Sequence, residues 1–199
     1  MAQATQAAKR EILITGFGGQ GIVLAGTIVG KSAALGDRRE STLIQSYGPE
    51  SRGGACSAQV IIDDRKIHYP YVRAADVLVC MSQSGYEKFL PMLRPDGMLL
   101  VDQDLVKPVD CPFDHYAVPA TRIAEEMGRT MIANIVMTGF FGSVTGIISR
   151  KALENITTKS VPRGTEELNL NALRKGWDFG AAVLKSRARR AAGEPGARQ

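Results

Sequence analysis

The segment Ile14–Gly26 reads ITGFGGQGIVLAG and contains the spacing G-x-G-x-x-G at Gly16, Gly18 and Gly21. An apolar run precedes the first glycine, and a helix-like pattern follows the last. In a strand–turn–helix unit such glycines allow a tight bend, and the helix N-terminus offers unpaired N–H groups to a phosphate. The candidate ligand-binding residues of this turn are Gly18, Gly19, Gln20 and Gly21.

A dinucleotide site also needs an acidic residue near the end of the second strand, where it holds the ribose hydroxyls. The predicted second strand ends at Tyr47, and the nearest acids are Glu40, before the strand, and Glu50, in the loop after it. The sequence therefore disfavours NAD or FAD. Two interpretations stay open: the glycines only let the helix pack closely on the sheet, or they bind another anion.

A second glycine-rich loop, GPESRGGA at 48–55, joins a turn-forming Gly-Pro pair to one acid, one base and two flexible glycines. The guanidinium of Arg52 is suited to forked hydrogen bonding with a phosphate or a carboxylate. An ion pair with Glu50 or with a neighbouring chain would use Arg52 equally well. The candidate ligand-binding residues of this loop are Glu50, Arg52, Gly53 and Gly54.

Two further polar residues are candidates for either a ligand contact or an internal hydrogen bond. Ser82 follows the apolar run ADVLVCM and is a ligand contact or a helix N-cap. Asn134 lies in the apolar segment 131–148 and bonds a ligand, another subunit or its own chain. Gly139, Gly142 and Gly146 give this segment a side of small residues, which we interpret as a packing surface with a neighbouring subunit as one candidate partner.

Catalytic and metal-binding patterns are missing from the sequence. His68 and His115 have no nucleophile or carboxylate at a recognisable spacing. The three cysteines, Cys56, Cys80 and Cys111, form no C-x-x-C pair, which argues against a disulfide framework, a zinc finger or an iron–sulfur cluster within this chain. We therefore predict no catalytic residue, no metal ligand and reduced thiols in a cytoplasmic protein.

Strand-like and helix-like patterns alternate along most of the 199 residues. Strands are predicted at 11–17, 41–47, 56–63, 75–82, 96–104 and 113–120. Helices are predicted at 20–36, 83–95, 120–128, 131–148, 150–160 and 165–188. This order predicts an α/β fold: a single Rossmann-like domain with a mainly parallel sheet and helices on both faces. Both glycine loops follow strands that we expect to be adjacent, so they should share one crevice at the carboxyl ends of the strands.

The domain is expected to span 11–184, between a flexible N-terminus at 1–10 and a basic flexible tail at 185–199. That tail holds five basic residues and one acid, so much of the net charge of +5 lies outside the domain. We expect it to be solvated, with RNA, lipid or an acidic subunit as the alternatives. Segment 131–148 is too polar and too rich in glycine for a lipid-facing helix, so we predict no membrane partner.

Four motifs, in the order in which they occur along the chain, resemble those of a known family: GFGGQGIVLAG, YGPESRGGACSAQVII, YPYVRAADVLVCMSQSGYEKF and ANIVMTGFFG. From about Ile12 to Val183 the chain resembles the gamma subunit of the 2-oxoacid:ferredoxin oxidoreductases, the pyruvate/ketoisovalerate oxidoreductase gamma family. The motif QSYGPESRGG is more similar to that of the 2-oxoglutarate-type gamma subunit than to that of the indolepyruvate type.

The resemblance implies a subunit of a complex rather than a complete enzyme. In this family thiamine diphosphate lies between alpha and beta subunits, and iron–sulfur clusters in partner subunits pass electrons to ferredoxin. A 2-oxoacid and coenzyme A become an acyl-CoA and carbon dioxide. The implied partners are alpha and beta subunits, with a delta subunit as a further candidate. The implied role of this chain is assembly or coenzyme A binding, with the amides of Gly18–Gly21 and the Arg52 guanidinium holding phosphates.

Two other functions stay open from the residues. One is a free-standing oxidoreductase that binds NAD or FAD at the first glycine turn. The other is an RNA-associated adaptor that acts through the basic tail, although the nearly neutral domain argues against nucleic acid. A subunit that buries apolar surface against partners is expected to self-associate non-specifically or to form homodimers when isolated.

Overall fold

The computed structural model describes residues 9–46, 55–109 and 111–192. Its strands are β1 (Arg10–Phe17), β2 (Glu40–Ser46), β3 (Ala55–Asp63), β4 (Ala75–Cys80), β5 (Leu93–Asp102) and β6 (His115–Val118). Its α-helices are α1 (Ile22–Lys31), α2 (Gln83–Phe89), α3 (Ala120–Glu126), α4 (Ala133–Thr145), α5 (Arg150–Ser160) and α6 (Glu166–Ala191). A π-helical turn, Ser32–Gly36, extends α1, and the 3-10 turns Leu90–Met92 and Thr130–Ile132 follow α2 and precede α4.

The six strands form one sheet in the order β2-β3-β1-β4-β5-β6. β1, β4, β5 and β6 are parallel neighbours, whereas β3 is antiparallel to both β1 and β2. The mainly parallel α/β sheet predicted from the sequence is thus confirmed. β3 is the exception because residues 47–54 are too few for a crossover to a parallel strand, so β2 and β3 form a hairpin.

The expectation that the two glycine loops follow adjacent strands is wrong. β3 lies between β1 and β2, because the hairpin returns the chain into the position beside β1. The two loops nevertheless share one edge of the sheet. Phe17, at the end of β1, is opposite Ala55, and Ser46, at the end of β2, is opposite Ser57. Both loops therefore begin or end at the carboxyl edge of β1.

The two faces of the sheet are covered unequally. Successive strand side chains point to opposite faces, so Ile12 and Ile14 of β1 pack on one side and Leu13 on the other. The larger core lies on the Ile12 side and contains buried residues of α1, α3, α4, α5 and α6. The smaller core contains Tyr86 of α2. Helices therefore lie on both faces, as predicted, with α2 on the opposite face from α1.

α4 is the central helix of the larger core. Eleven of its thirteen residues are buried, although Asn134, Thr138 and two glycines make it less apolar than a membrane span. None of the described helices has both the length and the apolar character needed to cross a membrane. The polar side chains are tolerated because they bond within the fold: the Thr138 hydroxyl donates to the Asn134 carbonyl at 2.7 Å.

The small residues of α4 serve a contact inside this chain. A Cβ added at Gly139 would overlap the carbonyl of Leu173 in α6, and one added at Gly176 of α6 would overlap the carbonyl of Val136 in α4. The backbones of α4 and α6 therefore meet directly. Of the three glycines predicted to form a packing surface, Gly139 packs on α6, and Gly142 packs on Leu153 of α5 and Trp177 of α6. A Cβ added at Gly146 would meet nothing within 4 Å among the described residues.

Helices α5 and α6 are joined by a small ionic network at the surface. The Glu154 carboxylate accepts hydrogen bonds from Arg174 at 3.0 Å and from Arg150 at 3.1 Å. The hydrogen bond from Arg174 is the main cause that lowers the pKa of Glu154 below its usual range. Because these side chains are partly exposed, the network contributes modestly to stability and orients the two helices.

The end of α6 differs from the tail predicted at 185–199. The helix continues to Ala191, so residues 185–191 are helical. Arg187 explains why: its guanidinium lies 3.8 Å over the ring of Tyr116 and donates hydrogen bonds to the Asp114 carboxylate and the His115 carbonyl. These contacts hold the basic helix against β6. Residues 193–199 lie outside the described residues.

Candidate functional site

The first glycine turn has the strand–turn–helix geometry that its sequence predicts. β1 ends at Phe17, and the amide of Gln20 donates to the Phe17 carbonyl at 3.2 Å to close the turn. Gly19 and Gly21 have φ values of 97° and 73°, which disfavour any residue with a Cβ. Gly21 is the N-cap of α1, and no side chain of the described residues caps the helix. Among those residues, the amides of the first turn therefore have no side-chain partner.

Gln20 closes the crevice where a Rossmann-type dinucleotide would bind. In open α/β sheets that crevice lies between neighbouring strands whose helices leave to opposite faces, here β1 and β4. The Gln20 side chain accepts from the Phe17 amide at 2.6 Å and donates to the Met81 carbonyl at 3.0 Å. It therefore ties the two strand ends together. This arrangement does not favour a free-standing NAD- or FAD-binding enzyme.

Other polar groups at this edge of the sheet are engaged within the fold. Ser82 is fully buried, and its hydroxyl accepts from the Gly85 amide at 3.1 Å as the N-cap of α2. Asp102, at the end of β5, accepts from the amide and hydroxyl of Thr121 and from the amide of Asp104. Burial raises the pKa of the Asp102 carboxyl. Both residues act as structural caps, which for Ser82 is one of the two roles that the sequence left open.

Asn134 lies against the glycine turn. Its Nδ2 donates to the Gly21 carbonyl at 3.0 Å across a sequence separation of 113 residues. A Cβ at Gly21 would overlap this nitrogen, so glycine is required both for the backbone angle and for the contact. The Oδ1 of the same side chain is buried and has no hydrogen-bond partner among the described residues. Asn134 therefore binds the turn through its nitrogen, and its oxygen stays without a partner among the described residues.

A cavity of about 200 Å³ opens beside the turn. The glycine turn and α1 form one wall, the segment that leads into α4 forms a second, and the connection between α5 and α6 forms a third. Its lining includes Gly19, Gly21, Leu24, Arg129, Ile132, Asn134, Pro162 and Leu168. The sheet edge thus offers a concave site next to the uncapped end of α1.

Arg129 is the functional candidate that sequence reasoning missed. Its guanidinium forms no hydrogen bond or ion pair with the described part of the chain, and it lines the cavity together with Gly19 and Gly21. Nothing in the local sequence, MGRTM, distinguishes it from an ordinary surface arginine. Only the packing of the α3–α4 connection against the first glycine turn brings its charge to this site.

The candidates of the second glycine loop, Glu50, Arg52, Gly53 and Gly54, lie outside the described residues. The strands that flank them, β2 and β3, deliver the loop to the carboxyl edge of β1, as the pairing of Phe17 with Ala55 requires. Of the candidates predicted from the sequence that lie within the described residues, five come together at one place: Gly18, Gly19, Gln20, Gly21 and Asn134. Ser82 instead caps a helix on the other face.

The cysteines and histidines take no part in this site. Cys56 and Cys80 are buried, Cys111 is half-buried, and burial raises the pKa values of the Cys56 and Cys80 thiols. Within the described ranges, no three side chains of His, Cys, Asp or Glu are grouped so that they could hold a metal ion. The groups that the described residues bring to this turn are thus backbone amides, the Asn134 amide and the Arg129 guanidinium.

Residues 11–179 match the family described as pyruvate ferredoxin/flavodoxin oxidoreductase. The 2-oxoglutarate synthase subunit KorC of Methanocaldococcus jannaschii is 47% identical over 174 residues, which cover 85% of this chain and 93% of that protein. KorC of Methanothermobacter thermautotrophicus is 44% identical over 176 residues, which cover 84% of this chain and 93% of that relative.

A solved structure has the same fold over nearly its whole length. It is the gamma subunit of a keto/oxoacid ferredoxin oxidoreductase from Geobacter sulfurreducens, with a TM-score of 0.78 and 36% sequence identity. The match covers 87% of this chain and 99% of that one. The order of motifs, the sheet with its single antiparallel strand and these relatives agree, and the chain belongs to the pyruvate ferredoxin/flavodoxin oxidoreductase family.

Proposed function

We propose that this chain is the gamma-type subunit of a 2-oxoglutarate:ferredoxin oxidoreductase. The complex converts 2-oxoglutarate and coenzyme A to succinyl-CoA and carbon dioxide and passes two electrons to ferredoxin. The observation that carries the proposal is the 47% identity to a 2-oxoglutarate synthase subunit over 93% of that relative's length. The gamma-subunit fold of the Geobacter sulfurreducens neighbour supports it.

Within this complex we assign the chain a non-catalytic role. The polar groups at the carboxyl edge are engaged as caps and strand ties, as Gln20, Ser82 and Asp102 illustrate. Thiamine diphosphate and the iron–sulfur clusters then belong to partner subunits, with alpha and beta subunits as the direct partners, a delta subunit as a further candidate and ferredoxin as the indirect one.

The ligand that we assign to the chain is coenzyme A. Its phosphates would meet the amides of Gly18, Gly19 and Gly21 and the first turn of α1, where the helix dipole favours negative charge. Arg52 adds a forked donor from the neighbouring loop. Gln20 contributes by holding the turn in shape, since its own amide and side chain are already bonded.

The surface of the chain supports assembly with other subunits. Leu35, Val109 and Met131 are 71%, 73% and 79% exposed, so they offer apolar side chains for contact with another subunit. We therefore expect the isolated chain to form homodimers or larger aggregates. Light scattering after size exclusion, with and without partner subunits, measures this directly. We place the complex in the cytoplasm, where its thiols stay reduced.

Co-purification from the native cytoplasm tests the function. The tagged chain should bring down subunits that carry thiamine diphosphate and iron–sulfur clusters. The purified complex should reduce a viologen dye only when both 2-oxoglutarate and coenzyme A are present. Preference for pyruvate or a branched-chain oxoacid would contradict the proposed substrate, and recovery of a lone chain with bound dinucleotide would contradict the subunit role.

The coenzyme A role is tested by Arg52→Ala in the assembled complex. The apparent KM for coenzyme A should rise about 10- to 100-fold, the loss expected for a charged hydrogen bond of about 1.5–3 kcal/mol, while the KM for 2-oxoglutarate stays constant. Arg65→Ala is the matched control, because Arg65 is 87% exposed at the opposite end of β3. An unchanged KM in an intact complex would remove Arg52 from the site.

A further inference from the structure

The connection between β3 and β4 presents two tyrosines and an arginine to solvent. Pro70 fixes its own φ and favours an extended Tyr69 before it, and side chains alternate in direction along an extended segment. Val72 is 5% exposed and packs in the smaller core. Its neighbours point the other way: Tyr69 and Tyr71 are 45% and 49% exposed, and Arg73 is exposed as well.

These three exposed side chains form one cluster, which we call the Tyr–Arg cluster. The ring centroids of Tyr69 and Tyr71 lie 5.5 Å apart. The guanidinium carbon of Arg73 lies 4.3 Å from the centroid of the Tyr69 ring, which is the distance of a cation–π contact. Tyrosine and arginine are also the residue types enriched at the centres of protein interfaces.

The backbone beneath the Tyr–Arg cluster is held by two side chains of the sheet. The Glu11 carboxylate of β1 accepts hydrogen bonds from the amides of Arg73 at 2.7 Å and Ala74 at 3.3 Å. The Oε1 of Gln59 in β3 accepts from the Val72 amide at 3.0 Å. Because the cluster is fixed in place before any partner arrives, binding costs little further ordering of the chain.

The polar groups of the cluster can all donate hydrogen bonds, and the chain leaves these donors unused. Neither the two tyrosine hydroxyls nor the Arg73 guanidinium forms a hydrogen bond or ion pair with any residue that the structure describes. The Glu11 carboxylate, which contacts this connection, is taken up by its amides and by Lys9. A guanidinium pairs best with a carboxylate, in a forked geometry. The cluster therefore offers a site for an acidic side chain.

Fixed carboxylates at the same end of the sheet favour a protein over a polyanion as the occupant. The Asp76 carboxylate accepts from the Glu11 amide at 2.7 Å and from Arg94 at 2.9 Å, and the Asp96 side chain is 79% exposed. These charges would repel a nucleic-acid backbone, which needs a continuous basic surface. A folded protein can instead place one carboxylate on Arg73 and apolar side chains on the tyrosine rings.

We propose that the Tyr–Arg cluster docks a partner subunit of the same complex, through a surface aspartate or glutamate that pairs with Arg73 while apolar side chains cover the two rings. The inference rests on the proposed function as a subunit and adds a contact surface to it. This surface is separate from the first glycine turn. The cluster is tied to Glu11 near the start of β1, whereas the turn follows Phe17 at its other end, about 20 Å away along the strand.

Binding of the full chain to the subunits that co-purify with it tests the docking site. Arg73→Glu and Tyr71→Ala should each raise the Kd at least about 30-fold, the loss typical of a residue at the centre of an interface. Lys175→Glu is the matched control, because it makes the same change in charge at an exposed residue of α6, on the opposite face of the sheet. It should change the Kd less than about twofold. Melting temperatures of the three variants, measured alongside, separate a lost contact from a disturbed fold.

Cross-linking tests the carboxylate directly. A carbodiimide joins a lysine amine to a carboxylate in contact with it, with loss of water to the reagent. In the complex assembled with Arg73→Lys, this reaction should yield a peptide containing position 73 joined to an aspartate or glutamate of another subunit, which mass spectrometry identifies. A cross-link at position 73 only to this chain's own carboxylates would contradict the proposal.

The possible results separate the docking site from the proposed function. If Arg73→Glu and Tyr71→Ala bind the other subunits as tightly as the wild type does, the docking site is wrong and the proposed function stands. An equal loss in Lys175→Glu would also contradict the site, because net charge alone would then explain binding. If Arg73→Glu abolishes only a homodimer or only RNA binding, the occupant is a different one and the proposal is wrong. If the wild-type chain brings down no other subunit, the proposed function itself is wrong.

Discussion

Replacing Gly21 by alanine tests the junction on which the candidate site depends. Two costs arise at this position. The φ of 73° is a left-handed conformation that costs an L-residue about 1–2 kcal/mol. The added Cβ would also overlap Nδ2 of Asn134, which must then leave the Gly21 carbonyl. Breaking that buried hydrogen bond costs about 1–3 kcal/mol more. We expect Gly21→Ala to lower the free energy of unfolding by about 2–5 kcal/mol.

Two neighbouring glycines separate these costs. Gly19 has a φ of 97° but nothing within 4 Å of an added Cβ, so Gly19→Ala should show the backbone cost alone, about 1–2 kcal/mol. Gly18 has neither feature, so Gly18→Ala should lie within about 0.5 kcal/mol of the wild type. The order of stability should be Gly18→Ala, then Gly19→Ala, then Gly21→Ala.

Urea unfolding followed by circular dichroism measures the series. For a slope of about 2 kcal/mol per molar, a loss of 3 kcal/mol moves the midpoint by more than about 1 M. Adding Asn134→Ala to Gly21→Ala removes the overlap, so the two changes together should cost less than their sum. Strict additivity, or a Gly21→Ala protein as stable as Gly18→Ala, would refute the assigned contact between Asn134 and the turn.

Three further predictions follow from the core and the surface. Cys111 should react first with a neutral thiol reagent in the native chain, whereas Cys56 and Cys80 should react only in denaturant, because both are buried and burial raises their pKa values; early labelling of all three would contradict the packing. Glu154→Gln should destabilise the chain slightly at pH 7. The native fold lowers the pKa of the Glu154 carboxyl, so the charged form stabilises the protein above the unfolded-state pKa of about 4.3. This stabilisation is lost as the pH falls through the pKa of the native state. The unfolding midpoints of wild type and Glu154→Gln should therefore converge in acid. Gly176→Ala should cost about 3 kcal/mol in chemical unfolding, since α4 and α6 would have to separate, and an unchanged midpoint would mean that the backbones do not meet.

Local sequence determined most of the elements and the chemistry of the first turn. The spacing of the apolar residues and the positions of the glycines predict β1, the turn and α1, because each of these elements depends on residues close together in the chain. The absence of an acid at the end of the predicted second strand argues against a dinucleotide site, and this stays a prediction. The alternation of elements was enough to predict a mainly parallel α/β sheet, since right-handed crossovers leave few topologies.

Tertiary structure decided which of the candidates meet and what each one does. The placement of β3 between β1 and β2 depends on strand pairing between segments far apart in sequence, which no local pattern encodes. Asn134 bonds to Gly21 across 113 residues, and Arg129 lines the same cavity as this turn, only because α4 packs in the larger core. Gln20 became a tie between β1 and β4 for the same reason. Residue types define the available chemistry, whereas long-range packing decides which groups are already paired and which stay free for a ligand.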